Sequence, residues 1–238
     1  MKIFLGFNPL LDFSFEREIL SNGTDETLLL ISHWKEKNLI LGYAQDLKGI
    51  NKEEAKKCGV EIFRRSSGGT AVLSTDSINI SLFIPSLHPL AKPIEELYKM
   101  FLETLKDALL KMGKDVEISR IREKTNSPIC FLSQSGETLL SDGKKFFGGA
   151  QARNKKVLLV QGTMLLNFDA GLHSRIFGFD ESVLKEKITS ISLDFEIFVN
   201  QIIKSFQKTL KSRTFDTEQF ISPSKQFIME TQTTKWMP

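Results

Sequence analysis

Ile78, Ile80 and Leu82 alternate with Asn79, Ser81 and Phe83. This period of two predicts a half-buried strand over 78–84. Other β-type runs surround it. Thr27–Ile31 and Asn38–Gly42 read as buried strands, and Val60–Phe63 leads a strand to residue 64. Lys156–Phe168 is the longest strand candidate. Glu137–Leu140 and Lys145–Phe147 read as hairpin arms around Asp142-Gly143, a dipeptide suited to a type I′ turn. Helical spacing appears between these runs. Residues 9–21 predict a helix stopped by Asn22-Gly23. A short helix follows Asn51, with Glu54 three residues on and Gly59 behind it. Leu97, Phe101, Leu105, Ala108-Leu109 and Met112 share one face over 94–112. A last helix carries Phe195, Phe198-Val199, Ile202-Ile203, Phe206 and Leu210. Residues 114–128 are charged and irregular, and read as a loop. Strands with interspersed helices, without strict βαβ alternation, predict an α/β (α+β) mixed sheet flanked by helices. With no repeat or linker, residues 1–238 read as a single domain, of which 212–238 form a polar tail.

Composition narrows the class. The 238 residues are 41% hydrophobic, enough for one substantial core. Thirty-two basic against 29 acidic residues give a net charge of +3, which singles out neither nucleic acid nor membrane as a partner. Cys58 and Cys130 make no disulfide framework and fit a reducing, cytoplasmic compartment. Asn8 and Asp12 interrupt the apolar N-terminus, so no signal peptide is read, and no 18-residue apolar stretch predicts a membrane span.

The chemistry concentrates in a few places. Arg64-Arg65-Ser66-Ser67-Gly68-Gly69-Thr70-Ala71-Val72-Leu73 carries two guanidiniums into a Gly-Gly turn. Exposed N–H groups at such a turn, beside arginines, suit a phosphate or carboxylate; an ordinary turn with solvated arginines is the simpler reading. There is no GxxxxGK[ST], no GxGxxG after a strand and no GxSxG. His33, His88 and His173 are far apart, and no cluster has metal-ligand spacing. Lys145 lies at a tight turn between glycines, where an ammonium could hold an acyl carbonyl or a phosphate; a solvated hairpin lysine is the alternative. Cys130 follows Pro128-Ile129, and its thiol is either an acyl carrier or a small buried hydrophobe.

Taken together, RRSSGGTAV, GKKFFGGAQAR and VLLVQGTMLL resemble, in order and spacing, the lipoate–protein ligase and octanoyltransferase family. NLILGYAQDLKGINKEEAKKCGVEIFRRSSGG upstream is similar to that family's entry to the double arginine, and the likeness covers roughly residues 28–170. It implies the biotin/lipoate ligase catalytic fold, shared with biotin–protein ligases and more distantly with class II aminoacyl-tRNA synthetases: a mostly antiparallel central sheet flanked by helices. It implies attachment of a lipoyl or octanoyl group to a lysine of a lipoyl-domain protein, such as a 2-oxoacid dehydrogenase E2 or the glycine cleavage H protein. By the same resemblance, Arg65 and Ser67, Gly68, Gly69, Thr70, Ala71, Val72 and Leu73 would line the phosphate or acyl-carbonyl end of the pocket. Lys145 matches the family's central lysine, with Gly148 and Gly149 at the small positions after it. In the cysteine-loop octanoyltransferases the nucleophile is the cysteine of a Cys-Phe pair fifteen residues before that lysine, and Cys130-Phe131 has this spacing. A transferase would take its acyl group from a donor such as acyl carrier protein and need no cofactor. A ligase would need ATP and Mg and pass through an acyl-adenylate. A non-catalytic carrier-binding homologue is the third possibility. Ser74 and Gln161 stand where many members have His, and Phe146 and Phe147 are bulkier than usual, which implies a smaller or reshaped acyl pocket.

Overall fold

The computed structural model describes residues 1–6, 8–91, 93–119, 127–132 and 137–210. The polar tail at 212–238 and residues 120–126 of the segment expected as a loop lie outside them. A five-stranded sheet runs through the centre. Its strands are β1 (Lys2–Leu5), β2 (Leu28–Trp34), β6 (Ser77–Pro85), β10 (Phe147–Arg153) and β11 (Val157–Leu165), in the order β1-β2-β6-β11-β10. Only the β1–β2 pair is parallel. Two three-stranded sheets flank it. One joins β3 (Asn38–Leu41) to β4 (Glu61–Arg64) and β5 (Val72–Ser74). The other joins β7 (Glu117–Ser119), β8 (Thr138–Ser141) and β9 (Lys144–Lys145). The mixed, mostly antiparallel architecture expected from the sequence is therefore present, divided into three sheets.

Helices cover both faces of the central sheet. On one side lie α3 (Ile94–Lys111) and α6 (Phe195–Leu210). Leu97, Phe101, Leu105 and Leu109 of α3, with Phe198, Ile202 and Phe206 of α6, share a core with Ile78, Ile80, Leu82 and Val160. Each such side chain contributes about 1.5–3 kcal/mol by leaving water. On the other side lies α1 (Pro9–Asn22), whose Phe15, Ile19 and Leu20 pack on Leu28, Leu30, Phe83 and Leu159. This second cover corrects the expectation of a half-buried β6. Residues 77–84 of β6 are all buried, and Asn79 and Ser81 face α1 rather than water.

Local punctuation follows the sequence. Asn51 Oδ1 accepts from Glu54 N at 3.0 Å to start α2 (Lys52–Lys57). Asp142 and Gly143 both take positive φ, 50° and 70°, as a type I′ turn demands. Three expectations change. Residues 117–119, read as loop, pair with β8. The second hairpin arm was expected to end at Phe147, but β10 runs on from there through Gly148-Gly149 to Arg153. Two short helices, α4 (Ala170–Phe177) and α5 (Glu181–Lys187), occupy a stretch left unassigned. No described helix is long and apolar enough to cross a membrane.

Candidate active site

The double arginine leaves β4 and is taken up at once by the backbone around it. Arg64 Nη1 donates to the carbonyls of Gly42, Tyr43 and Gln45 at 2.7–3.0 Å. Arg65 is buried and engaged at all three guanidinium nitrogens. Nε donates to Ser67 Oγ at 3.1 Å, Nη1 to Ile40 O at 3.2 Å, and Nη2 to Gly68 O and Thr70 O at 2.7 and 3.0 Å. Burial lowers its pKa from the ordinary arginine value. The guanidinium thus ties the Gly-Gly turn to β3. Gly42 is required opposite: a Cβ there would sit 1.9 Å from Gly69 O.

The turn in turn holds Cys130. Cys130 N donates to Ala71 O at 2.8 Å, and Ala71 N donates to Pro128 O at 2.9 Å. Cys130 opens a single 3-10 turn, Cys130–Leu132. Lys145 comes from β9, which is fixed by pairing with Leu140 and by a bridge to Ile188. Its side chain is buried. Nζ donates to Cys130 O at 2.8 Å, stands 3.9 Å from Cys130 Sγ and lies 5.8 Å from the centre of the Phe131 ring. Gly148 leaves room for the thiol, since a Cβ there would lie 3.2 Å from Sγ. A Cβ on Gly149 would lie 2.5 Å from the Tyr98 hydroxyl.

Between these residues, α1 and the central sheet lies a cavity. Arg65, Val72, Cys130, Gly148 and Gly149 line it. Ser67, Ala71 and Leu73 are fully buried, and neither they nor Gly68, Gly69, Thr70 and Lys145 are among its lining. Neither Phe146 nor Phe147 reaches the cavity. Both are packed in the α3–α6 core, and the Phe147 ring occupies the space of a Cβ on Gly162. Ser74 is buried and accepts from Ser77 Oγ at 3.2 Å.

Apart from Gly148, the cavity's inner wall was not anticipated as part of the site. Two cross-strand rows face it: Ser32, Asn79, Thr163 and Gly148, then Leu30, Ser81, Gln161 and Ala150. Asp12 and Glu16, one turn apart on α1, close over these rows. Trp34 Nε1 donates to Asp12 Oδ2 at 2.7 Å, Ser81 Oγ to Glu16 Oε1 at 2.6 Å, and Thr163 Oγ1 to Asn79 Oδ1 at 2.6 Å. Burial pushes the Glu16 carboxyl up from 4.5 to about 8. The available signal was the polar half of the β6 alternation together with the Asp12–Glu16 spacing. Among the described residues, no group of three or more His, Cys, Asp or Glu side chains is placed to hold a metal ion.

The arrangement offers a nucleophile, a cation beside it and a chamber behind it, the parts needed to hold an acyl group on sulfur. Comparison with known proteins agrees in kind. Residues 8–211 match the model of the lipoyl protein ligase A/B catalytic domain. Octanoyltransferase LipM from Brevibacillus brevis is 29% identical over 208 residues, which cover 82% of this chain and 75% of that protein. Among solved structures, a lipoate–protein ligase A bound with ATP superposes with a TM-score of 0.75 at 19% identity, covering 97% of this chain and 92% of that one. A bi-partite lipoate protein ligase from Thermoplasma acidophilum, from a study that includes its E2 lipoyl domain, also gives 0.75, at 17% identity and 97% and 89% coverage. At these identities the two structures speak to the fold.

Proposed function

Since the chain belongs to the lipoyl protein ligase A/B catalytic-domain family, we propose that it moves a medium-chain acyl group of the octanoyl or lipoyl class onto a lysine amine of a lipoyl-domain protein through a thioester on Cys130. The chain is an enzyme of that acyltransferase–ligase class. The observation that carries the thioester route is the placement of Lys145 Nζ 3.9 Å from Cys130 Sγ, at a cavity that Cys130 and Gly148 line together.

In the first half-reaction the Cys130 sulfur attacks the carbonyl of an acyl thioester, and the donor's thiol leaves. Acyl carrier protein is the donor that fits this chemistry. In the second, the acceptor's lysine amine attacks the Cys130 thioester, an amide forms, and the sulfur is released. In both, negative charge develops on the carbonyl oxygen and on sulfur, where the Lys145 ammonium is placed to stabilise it. Thioester exchange needs no ATP. Arg65 is engaged at all three nitrogens by the protein itself, so a route without a nucleotide phosphate suits this turn better than an acyl-adenylate.

The test is intact mass. Wild-type protein mixed with octanoyl carrier protein and no acceptor should gain one octanoyl group, mapped to Cys130, and Cys130→Ser should gain none. Addition of a lipoyl domain should move the group to its lysine. If Cys130→Ser remains fully active with lipoate and ATP, and no adduct forms on the wild type, the chain is a ligase.

A further inference from the structure

Glu16 and Gln161 are buried, 3% and 7% exposed, and both line the cavity. Glu16 Oε2 and Gln161 Oε1 have no hydrogen-bond partner among the described residues. They flank one residue. Ser81 donates to the other oxygen of Glu16, and Ser81 is the cross-strand partner of Gln161. We propose that this end of the cavity binds an acyl chain bearing an O–H or N–H donor near its far end, in preference to a plain hydrocarbon chain. The proposal rests on the acyl-transfer reading of the same site.

The sheet register sets the distance. Cys130 Sγ lies beside Gly148, whose row is Gly148, Thr163, Asn79. Ser81 and Gln161 belong to the next row, Ala150, Gln161, Ser81. From Gly148 to Ser81 is two strands across, roughly 10 Å, and two residues along, about 7 Å, hence some ~12 Å in all. An acyl chain of about octanoyl length held on Cys130 would bring its far end to Glu16 and Gln161.

Two buried polar groups there have a clear energetic consequence. A hydrocarbon end would displace whatever solvent serves them and return nothing, whereas a group that both donates and accepts would complete their hydrogen bonds. Glu16 stays protonated up to about pH 8 because it is buried, so the pair offers a neutral carboxyl and an amide. A neutral hydroxyl, amide or urea matches this pair, since each both donates and accepts. The preceding row adds the polar side chains of Ser32, Asn79 and Thr163, while Leu30 and Ala150 complete the row of Ser81 and Gln161 with apolar surface.

Calorimetric titration of the full chain with octanoate and with 8-hydroxyoctanoate tests this directly. The hydroxy acid should bind at least about ten-fold more tightly, a difference of about 1.4 kcal/mol, although it is the less hydrophobic of the two. Gln161→Leu should erase or reverse the preference, and Glu16→Leu combined with it should favour octanoate. Should the double variant fail to fold, Gln161→Leu alone decides. The proposal is overturned if octanoate binds as well as the hydroxy acid, if neither acid binds, or if Gln161→Leu leaves the ratio unchanged. Mass spectrometry with the two acyl thioesters separates this from the parent reading. A binding preference without any Cys130 adduct would sink the transfer chemistry and leave the pocket assignment standing.

Discussion

Lys145 meets Cys130 at two atoms: its Nζ donates to the Cys130 carbonyl at 2.8 Å and stands 3.9 Å from Sγ. The carbonyl bond fixes the ammonium while the sulfur reacts. Lys145→Met keeps the stem in its buried position and removes the charge. It should slow formation of the Cys130 adduct by about two orders of magnitude or more, the loss of ~3 kcal/mol of charge stabilisation, with little change in circular dichroism. Lys144→Ala should react like the wild type, because neighbouring residues of a strand point to opposite faces. Single-turnover rates with octanoyl carrier protein measure both, and equal rates for Lys145→Met and wild type would remove Lys145 from the chemistry.

The two turn glycines should separate cleanly. Gly69 has φ of +88°, and a Cβ there would lie 3.0 Å from Arg65 Nη2. A side chain in this left-handed region costs about 1–2 kcal/mol. Gly69→Ala should therefore lower the unfolding free energy by that amount and the urea midpoint with it. Gly68 has nothing within 4 Å of a Cβ and no positive φ, so Gly68→Ala should leave the midpoint where it is. If Gly68→Ala keeps the fold yet weakens donor binding, the N–H groups of the turn touch the donor. Unchanged binding would make the turn a structural clamp alone.

Two buried groups set opposite pH trends. Glu16 has its pKa raised from 4.5 to about 8, chiefly by burial. Between those values the folded chain holds a proton that the unfolded chain has lost. The stability this represents is fully present below 4.5 and is lost as the pH rises through about 8. His173, on α4, is pushed by burial from 6.5 down to about 4. There the unfolded chain binds the extra proton, so stability is present above 6.5 and is lost as the pH falls through about 4. Relative to wild type, Glu16→Gln should gain stability from pH 5 to pH 8, by at least about 2 kcal/mol. His173→Gln should gain in the other direction, from pH 7 to pH 4.5. Urea titrations across the pH range give both curves, and variant curves parallel to wild type would refute the assigned burial effects.

The parts of this fold that were legible in the sequence are those fixed by short-range chemistry. The faces of α3 and α6 follow from apolar residues at helical spacing, and the Asp142-Gly143 turn follows from two positions that need positive φ. The Cys130–Lys145 pair was suggested by spacing and resemblance, and the structure brings its two side chains together. What was missed depends on partners distant in sequence. The hairpin arm expected to end at Phe147 runs on through Gly148-Gly149, where Cys130 and Tyr98 crowd the space a Cβ would take. Asn79 and Ser81 looked solvent-facing, because nothing in β6 reveals that α1 lies over them. Arg64 and Arg65 looked ready for an anion, since a sequence displays guanidinium donors but not the backbone carbonyls that fill them.

Arg65 serves Ser67 Oγ and the carbonyls of Ile40, Gly68 and Thr70 from one planar fork. A lysine ammonium in its place is a compact charge with three donors and cannot reach all four acceptors from one point. Buried acceptors left without donors cost about 1–3 kcal/mol each. Arg65→Lys should therefore destabilise the chain by a few kcal/mol, and transfer should fall with it, because the same turn positions Cys130 through Ala71. Arg64→Lys, nearer the surface, should cost less. Urea unfolding and steady-state kinetics on both variants make the comparison. A clamp predicts a lower midpoint together with a lower kcat. If Arg65→Lys instead holds the wild-type midpoint and raises only KM for the acyl donor, Arg65 binds the donor directly, and its hydrogen bonds to the turn are incidental.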